Sequence, residues 1–311
     1  MPRIHDDITT TIGRTPLVRI NQLNTGGADV LAKLEFFNPG ASVKDRLALA
    51  VIEAAEASGE LKPGGTIVEG TSGNTGIGLA MLGAARGYRV ILAMPDTMSF
   101  ERRSVVAAFG AELVLTPGAE GMKGAVAKAK EIVESTPGAI LARQFDNDAN
   151  PQMHYKTTGP EIWEDTDGKV DIFVAGIGTG GTLSGVGKFL KEKNPEIQII
   201  GVEPIDSPLL TEGTPGPHKI QGIGPNFVPN TLDRSVYDEI IDVTFDDSVA
   251  TARELTAKEA IFAGISSGAA LWAAIEVSKR PENAGKTIVF ITCDTGERYL
   301  SLPIYKDLAG E

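Results

Sequence analysis

Cysteine is nearly missing from this chain. Cys293 is the only one in 311 residues, so no intrachain disulfide framework can form and a reducing compartment is expected. Basic runs are missing too. Twenty-nine Lys and Arg against 41 Asp and Glu leave a formal charge of -12, which argues against a non-specific nucleic-acid partner but not against a locally held anion. No apolar run approaches the roughly 20 residues that a membrane-spanning helix requires. The opening residues, Met1-Pro2-Arg3-Ile4-His5-Asp6-Asp7, carry no apolar core of signal-peptide type, so a cytoplasmic location is expected. The three histidines, His5, His154 and His218, have no metal-ligand spacing, and no metal is expected. A Walker A motif is also lacking, which sets nucleotide triphosphate hydrolysis aside.

What the chain has is 42% hydrophobic and 23% charged residues over a length that suggests two domains. Short apolar runs alternate with amphipathic stretches. Strands are expected at 66–69, 90–94, 113–115, 139–142, 172–175, 197–202, 240–243 and 287–291. Most run continuously rather than alternating, as parallel strands covered on both faces do. Helical periodicity fills 43–58, 75–86, 99–109, 122–135, 152–164, 182–193, 246–263 and 267–279. The pattern is βαβ, hence doubly wound α/β. The Asp- and Asn-rich stretch 144–151, ending in Pro151, is the expected boundary. A hairpin with strands at 17–20 and 30–36 surrounds Thr25-Gly26-Gly27 and fits either half.

Four loops carry chemistry. In Asn38-Pro39-Gly40-Ala41-Ser42-Val43-Lys44-Asp45-Arg46, Ser42 and Asp45 have capping-box spacing after a turn. Lys44 then falls in the first helical turn, against the dipole and near Arg46, where an ammonium should lose its proton more easily. An uncharged amine suits Schiff-base chemistry; a solvated lysine at a helix end is the plain alternative.

In Gly70-Thr71-Ser72-Gly73-Asn74-Thr75-Gly76, four polar side chains beside a helix start form a nest suited to a carboxylate, and an Asn amide can donate to a phenolate-like oxygen. Gly176-Ile177-Gly178-Thr179-Gly180-Gly181-Thr182 can seat a phosphate on backbone amides and a helix N-terminus. The same loop also reads Gly-x-Gly-x-x-Gly through Gly176, Gly178 and Gly181, with Glu203 closing a later strand, so a nicotinamide-dependent dehydrogenase stays open. In Gly264-Ile265-Ser266-Ser267-Gly268, capping explains Ser267 and leaves Ser266 spare. Cys293 reads as a small buried thiol.

Together these four motifs, in this order, resemble cysteine synthases (O-acetylserine sulfhydrylases), pyridoxal-phosphate enzymes of the tryptophan-synthase-β type. The similarity runs from about Ile12 to Tyr299. It implies two α/β domains, each a mostly parallel sheet flanked by helices, with the active site in the cleft between them. The domains would be 36–145 with 1–12, and 146–311 with the 13–35 hairpin. The resemblance assigns Lys44 to the cofactor Schiff base, Asn74 to the pyridoxal 3′ oxygen, Gly178, Thr179, Gly180, Gly181 and Thr182 to the phosphate, and Ser266 to the pyridine nitrogen. Thr71, Ser72, Thr75, Gln144 and Gly222 would bind the substrate.

The implied reaction is β-replacement, making L-cysteine from O-acetyl-L-serine and sulfide with release of acetate through an α-aminoacrylate. A homodimer and a complex with serine acetyltransferase are implied as well. The main alternative within the family is cystathionine β-synthase-type condensation with another thiol. In Gln221-Gly222-Ile223-Gly224-Pro225-Asn226, the last two residues depart from the usual Ala-Gly, and Cys293 replaces a usual proline.

Overall fold

The computed structural model describes residues 4–98 and 100–309. The chain forms two compact units, Met1–Ile12 with Asn38–Ala149 and Gly13–Phe37 with Asn150–Glu311. In chain order the strands are β1 (Leu17–Arg19), β2 (Asp29–Leu34), β3 (Thr66–Gly70), β4 (Arg89–Pro95) and β5 (Glu112–Thr116). They continue with β6 (Ala139–Leu141), β7 (Ile172–Gly176), β8 (Gln198–Pro204), β9 (Glu239–Val243) and β10 (Thr287–Thr292). The α-helices are α1 (Lys44–Ser58), α2 (Asn74–Arg86), α3 (Phe100–Ala108), α4 (Gly121–Ser135) and α5 (Ala149–Met153). They continue with α6 (Gly159–Asp165), α7 (Gly181–Lys193), α8 (Phe245–Glu259) and α9 (Ile265–Ser278).

The first unit holds a four-stranded sheet in the order β5-β4-β3-β6, parallel throughout. Alternate residues of each strand feed separate cores. Ile67, Val90, Leu92 and Met94 pack with Leu47, Ile77 and Leu82 of α1 and α2, whereas Val68, Ile91 and Ala93 pack with Ala125 and Ala129 of α4. Two buried faces are why these strands are continuously apolar.

The second unit holds a mixed sheet, β1-β2-β10-β7-β8-β9, in which only the β1–β2 pairing is antiparallel. Ile172, Val174, Val202, Ile288 and Phe290 face α8 and α9, while Phe173, Ala175, Ile199, Val289 and Ile291 face α7. Helix α9 is buried on nearly every side, as a helix apolar all round must be. The hairpin joins this unit because β2 pairs with β10 in register Val30↔Ile288 through Leu34↔Thr292.

Four expectations need correction. The strand expected over 30–36 stops at Leu34, and Glu35–Phe37 form a 3-10 turn. The helix expected over 246–263 ends at Glu259, because Ala260 turns left-handed at φ +57° and gives its N–H to the Leu255 carbonyl. The helix expected over 152–164 runs 149–165 as α5, a π-helical turn His154–Thr158, and α6. The helix expected over 99–109 spans Phe100–Ala108; Ser99 lies outside the described residues. Among the described residues no helix is long and apolar enough to cross a membrane.

Candidate active site

In the first unit, Lys44 is the first residue of α1 and is half-buried. The capping box expected from Ser42 and Asp45 forms differently. Ser42 Oγ accepts from Lys44 N–H at 3.2 Å, and the Asp45 carboxylate reaches past Ser42 to the Gly40 N–H at 2.6 Å. The buried Asp45 thus pins the Asn38-Pro39-Gly40 turn and fixes the entry of the chain into α1. Helix α2 approaches α1 closely at Gly78, where any Cβ would lie 3.0 Å from Ala48 Cβ and 3.2 Å from the Lys44 carbonyl. That contact sets the polar start of α2 beside the lysine's own helical turn.

The N-cap of α2 is Gly73, which offers no side chain to the helix's first turn. The hydroxyls around it are engaged elsewhere. Thr71 Oγ1 accepts from Gly73 N–H, Ser72 Oγ meets Met122 Sδ at 3.4 Å, and Thr75 Oγ1 donates to Gln144 Oε1 at 2.7 Å. Arg102 of α3 donates to the Ser72 carbonyl. The structure therefore brings Thr71, Ser72, Asn74, Thr75 and Gln144 together at the carboxyl end of β3.

Gln144 is presented by a residue that sequence reasoning missed. Glu69, in β3 and 5% exposed, accepts from Arg143 N–H at 3.0 Å and Gln144 N–H at 3.4 Å. Burial pushes its carboxyl up to about 7, against the lowering effect of those two amides. No local pattern marks Glu69, because its partners lie more than 70 residues away.

In the second unit, the 177–182 loop follows β7 and opens α7. Gly180 is its N-cap at φ +81° and offers no side chain to the helix, whose first amide, Gly181 N–H, donates to Thr179 Oγ1 at 3.4 Å. A Cβ on Gly178 would stand 2.3 Å from the Gly222 carbonyl oxygen, so only glycine lets the two loops stack. Gly224 N–H donates to the Ile177 carbonyl, which fixes that stack. The donor set is a helix N-terminus, close backbone and two hydroxyls, Thr179 and Thr182, and it fits a phosphate dianion.

Ser266 is buried at the start of α9, and the loop at Gly222 passes against it; a Cβ there would be 3.5 Å from Ser266 Oγ. Ser267 does not cap α9 as expected. Its hydroxyl accepts from Cys293 N–H at 2.9 Å, tying β10's end to the helix start, and the N-cap of α9 is Gly264, which has no side chain to cap with. Cys293 itself is half-buried. Below this turn Tyr299 donates to the buried Asp294 carboxylate at 2.6 Å. Asn226 takes the left-handed conformation at φ +65° and accepts from Ser207 Oγ at 2.7 Å.

The dinucleotide alternative fails at Glu203. Its carboxylate is buried and already accepts from the Leu210 and Thr211 amides, so it is not displayed for a ribose. Among the described residues, no group of three His, Cys, Asp or Glu side chains is placed to hold a metal.

The family model for pyridoxal-phosphate dependent enzymes matches residues 8–294. The chain belongs to that family. Among curated relatives, a cysteine synthase of Staphylococcus aureus (strain Mu50) is 55% identical over 302 residues, covering 96% of this chain and 97% of the relative. Among solved structures, an O-ureido-L-serine synthase superposes with a TM-score of 0.95 at 47% identity, covering 99% of this chain and 97% of that one. A cysteine synthase of Entamoeba histolytica gives a TM-score of 0.95 at 47% identity, covering 98% and 93%.

A pyridoxal-phosphate enzyme needs a lysine for the aldehyde and a seat for the phosphate, and both types of residue are present in the geometry described. Two more residues escaped the sequence reading. Asn150 Nδ2 donates to Thr179 Oγ1 at 2.9 Å, and His154 Nε2 lies 3.2 Å from Thr182 Oγ1. Their four-residue spacing matches that of Gly181 and Gly185, which was the one signal available.

Proposed function

We propose that this protein makes L-cysteine from O-acetyl-L-serine and sulfide, releasing acetate. The observation that carries the reading is full-length likeness to a curated cysteine synthase at 55% identity, joined to the lysine at the head of α1. When bound, pyridoxal phosphate supplies the electron sink for loss of the substrate's α-proton. Lys44 Nζ would anchor the cofactor aldehyde covalently and, as a free amine, would serve as the base at that proton. Asn74 donates to the 3′ oxygen, and the 178–182 loop holds the phosphate.

Ser266 meets the ring nitrogen with a neutral hydroxyl, which does not hold it protonated as a carboxylate would. With Ser266 there, the ring would be a weaker electron sink, which suits prompt loss of a β-leaving group. Thr71, Ser72, Thr75, Gln144 and Gly222 bind the amino-acid substrate, with Thr75 and Gln144 already joined by a 2.7 Å hydrogen bond. The reading also includes a cytoplasmic homodimer, and a serine acetyltransferase whose C-terminal carboxylate enters the 71–75 nest as a substrate mimic.

Borohydride reduction of the holoenzyme followed by peptide mapping tests the anchor. The pyridoxyl group is expected on Lys44, and label on any other lysine refutes the assignment.

A further inference from the structure

His154 belongs to no role in the reaction, yet it is one of the most deliberately placed polar groups in the second unit. It is 2% exposed and stands at the head of the π-helical turn His154–Thr158. Such turns insert an extra residue into a helix and recur at functional sites. Both ring nitrogens are engaged: Nδ1 lies 2.9 Å from Thr158 Oγ1, and Nε2 lies 3.2 Å from Thr182 Oγ1. Thr158 is fully buried.

The backbone is shaped to allow this reach. A Cβ on Gly185 would sit 2.1 Å from the Pro151 carbonyl and 2.7 Å from His154 Cβ, so α7 can press onto the π turn only through glycine. Thr182 is three residues earlier on the same face of α7. Asn150, one turn before His154, serves Thr179 in the same way, and Gly181 is the glycine that admits it. Two polar side chains one turn apart thus support the two hydroxyls of one loop.

The tautomer decides what Thr182 can do. With the proton on Nε2, the ring donates to Thr182 Oγ1, Thr158 donates to Nδ1, and the Thr182 hydroxyl hydrogen is free to point at an anion. With the proton on Nδ1, Nε2 is an acceptor that captures the Thr182 hydrogen, and the loop turns a lone pair toward the anion instead. We infer that His154 is a positioning residue that carries its proton on Nε2 and, through Thr182, aims a hydroxyl donor at the cofactor phosphate. The inference rests on the proposed phosphate role of the 178–182 loop.

Two measurements test it. The chain has only three histidines, so nitrogen-15 spectra of histidine-labelled holoenzyme are simple, and His154→Gln identifies the His154 signals by their loss. A protonated Nε2 and a bare Nδ1 are expected; a proton held on Nδ1 alone overturns the inference. Equilibrium dialysis of holoenzyme then measures retention of pyridoxal phosphate. Thr182→Val and His154→Leu should each weaken retention about tenfold, the size of one lost hydrogen bond to a charged group. The double variant should be no weaker than either, and His154→Gln, which keeps an N–H donor, should recover most of the loss. If the two losses multiply, His154 acts by packing and the inference fails while the phosphate loop stands. If Thr182→Val retains cofactor as the wild type does, the phosphate reading of the loop fails with it.

Discussion

Replacing Glu69 with glutamine should change how stability depends on pH. In the folded chain the Glu69 carboxyl is raised from 4.5 to about 7, with burial as the main cause. Between those values the folded protein binds a proton that the unfolded chain has released, so stability falls as pH rises through the window. The contribution is fully present below about pH 4.5 and lost above about pH 7. The shift corresponds to about 3 kcal/mol in all, of which about 2 kcal/mol falls between about pH 5.5 and 8.5. A glutamine side chain at this position has no proton to lose there.

Urea unfolding of both proteins across that range, followed by circular dichroism, reads the difference directly. Relative to wild type, Glu69→Gln should gain about 2 kcal/mol as the pH is raised, whatever its offset at the acid end from losing one of two amide contacts. A constant difference at every pH would refute the argument that burial, rather than the Arg143 and Gln144 amides, governs this carboxyl. The persistence of such a costly group has a local reason. Arg143 adopts φ +56°, a strained conformation for a residue with a side chain, and the carboxylate holds it there so that Gln144 meets Thr75.

Three further outcomes are expected. Gly178→Ala should weaken cofactor retention in dialysis by about tenfold, the size of one lost hydrogen bond to a charged group, because its Cβ meets the Gly222 carbonyl at 2.3 Å; Gly73→Ala meets nothing within 4 Å and should retain cofactor normally. Equal effects of the two would contradict the stacked-loop geometry. In solution, light scattering should give twice the 32.7 kDa chain mass, and a short peptide ending in a free isoleucine carboxylate should compete with O-acetylserine while its amidated form does not; a monomer, or equal inhibition by both peptides, counts against the respective proposal.

The frame of this fold was legible because parallel strands buried on both faces leave continuous apolar runs, and glycine-rich turns mark the ends where ligands bind. Val174 and Phe173 point into different cores, and both must be apolar. The supports of the site were not legible. Glu69 is a charged residue inside an apolar strand, with partners that sequence spacing cannot supply. His154 sits in a π turn, whose extra residue breaks the 3.6-residue period by which helices are recognised.

The misread caps show most plainly where local reasoning fails. Helix α8, which carries none of the candidate site residues, obeys the capping rule: Thr244 accepts from Asp247 N–H at 3.0 Å. The starts of α2, α7 and α9 are just as rich in hydroxyls, yet each has a glycine as its N-cap residue, with no N-cap side chain to accept. Thr75 donates to Gln144, Thr182 meets His154, and Ser267 holds Cys293. Each of these helices forgoes the roughly 1 kcal/mol that an N-cap side chain contributes. A sequence rule that assigns the nearest hydroxyl to the nearest amide is sound where a helix only has to be stable. It misassigns hydroxyls at the starts of α2, α7 and α9, where they bond to neighbouring segments instead.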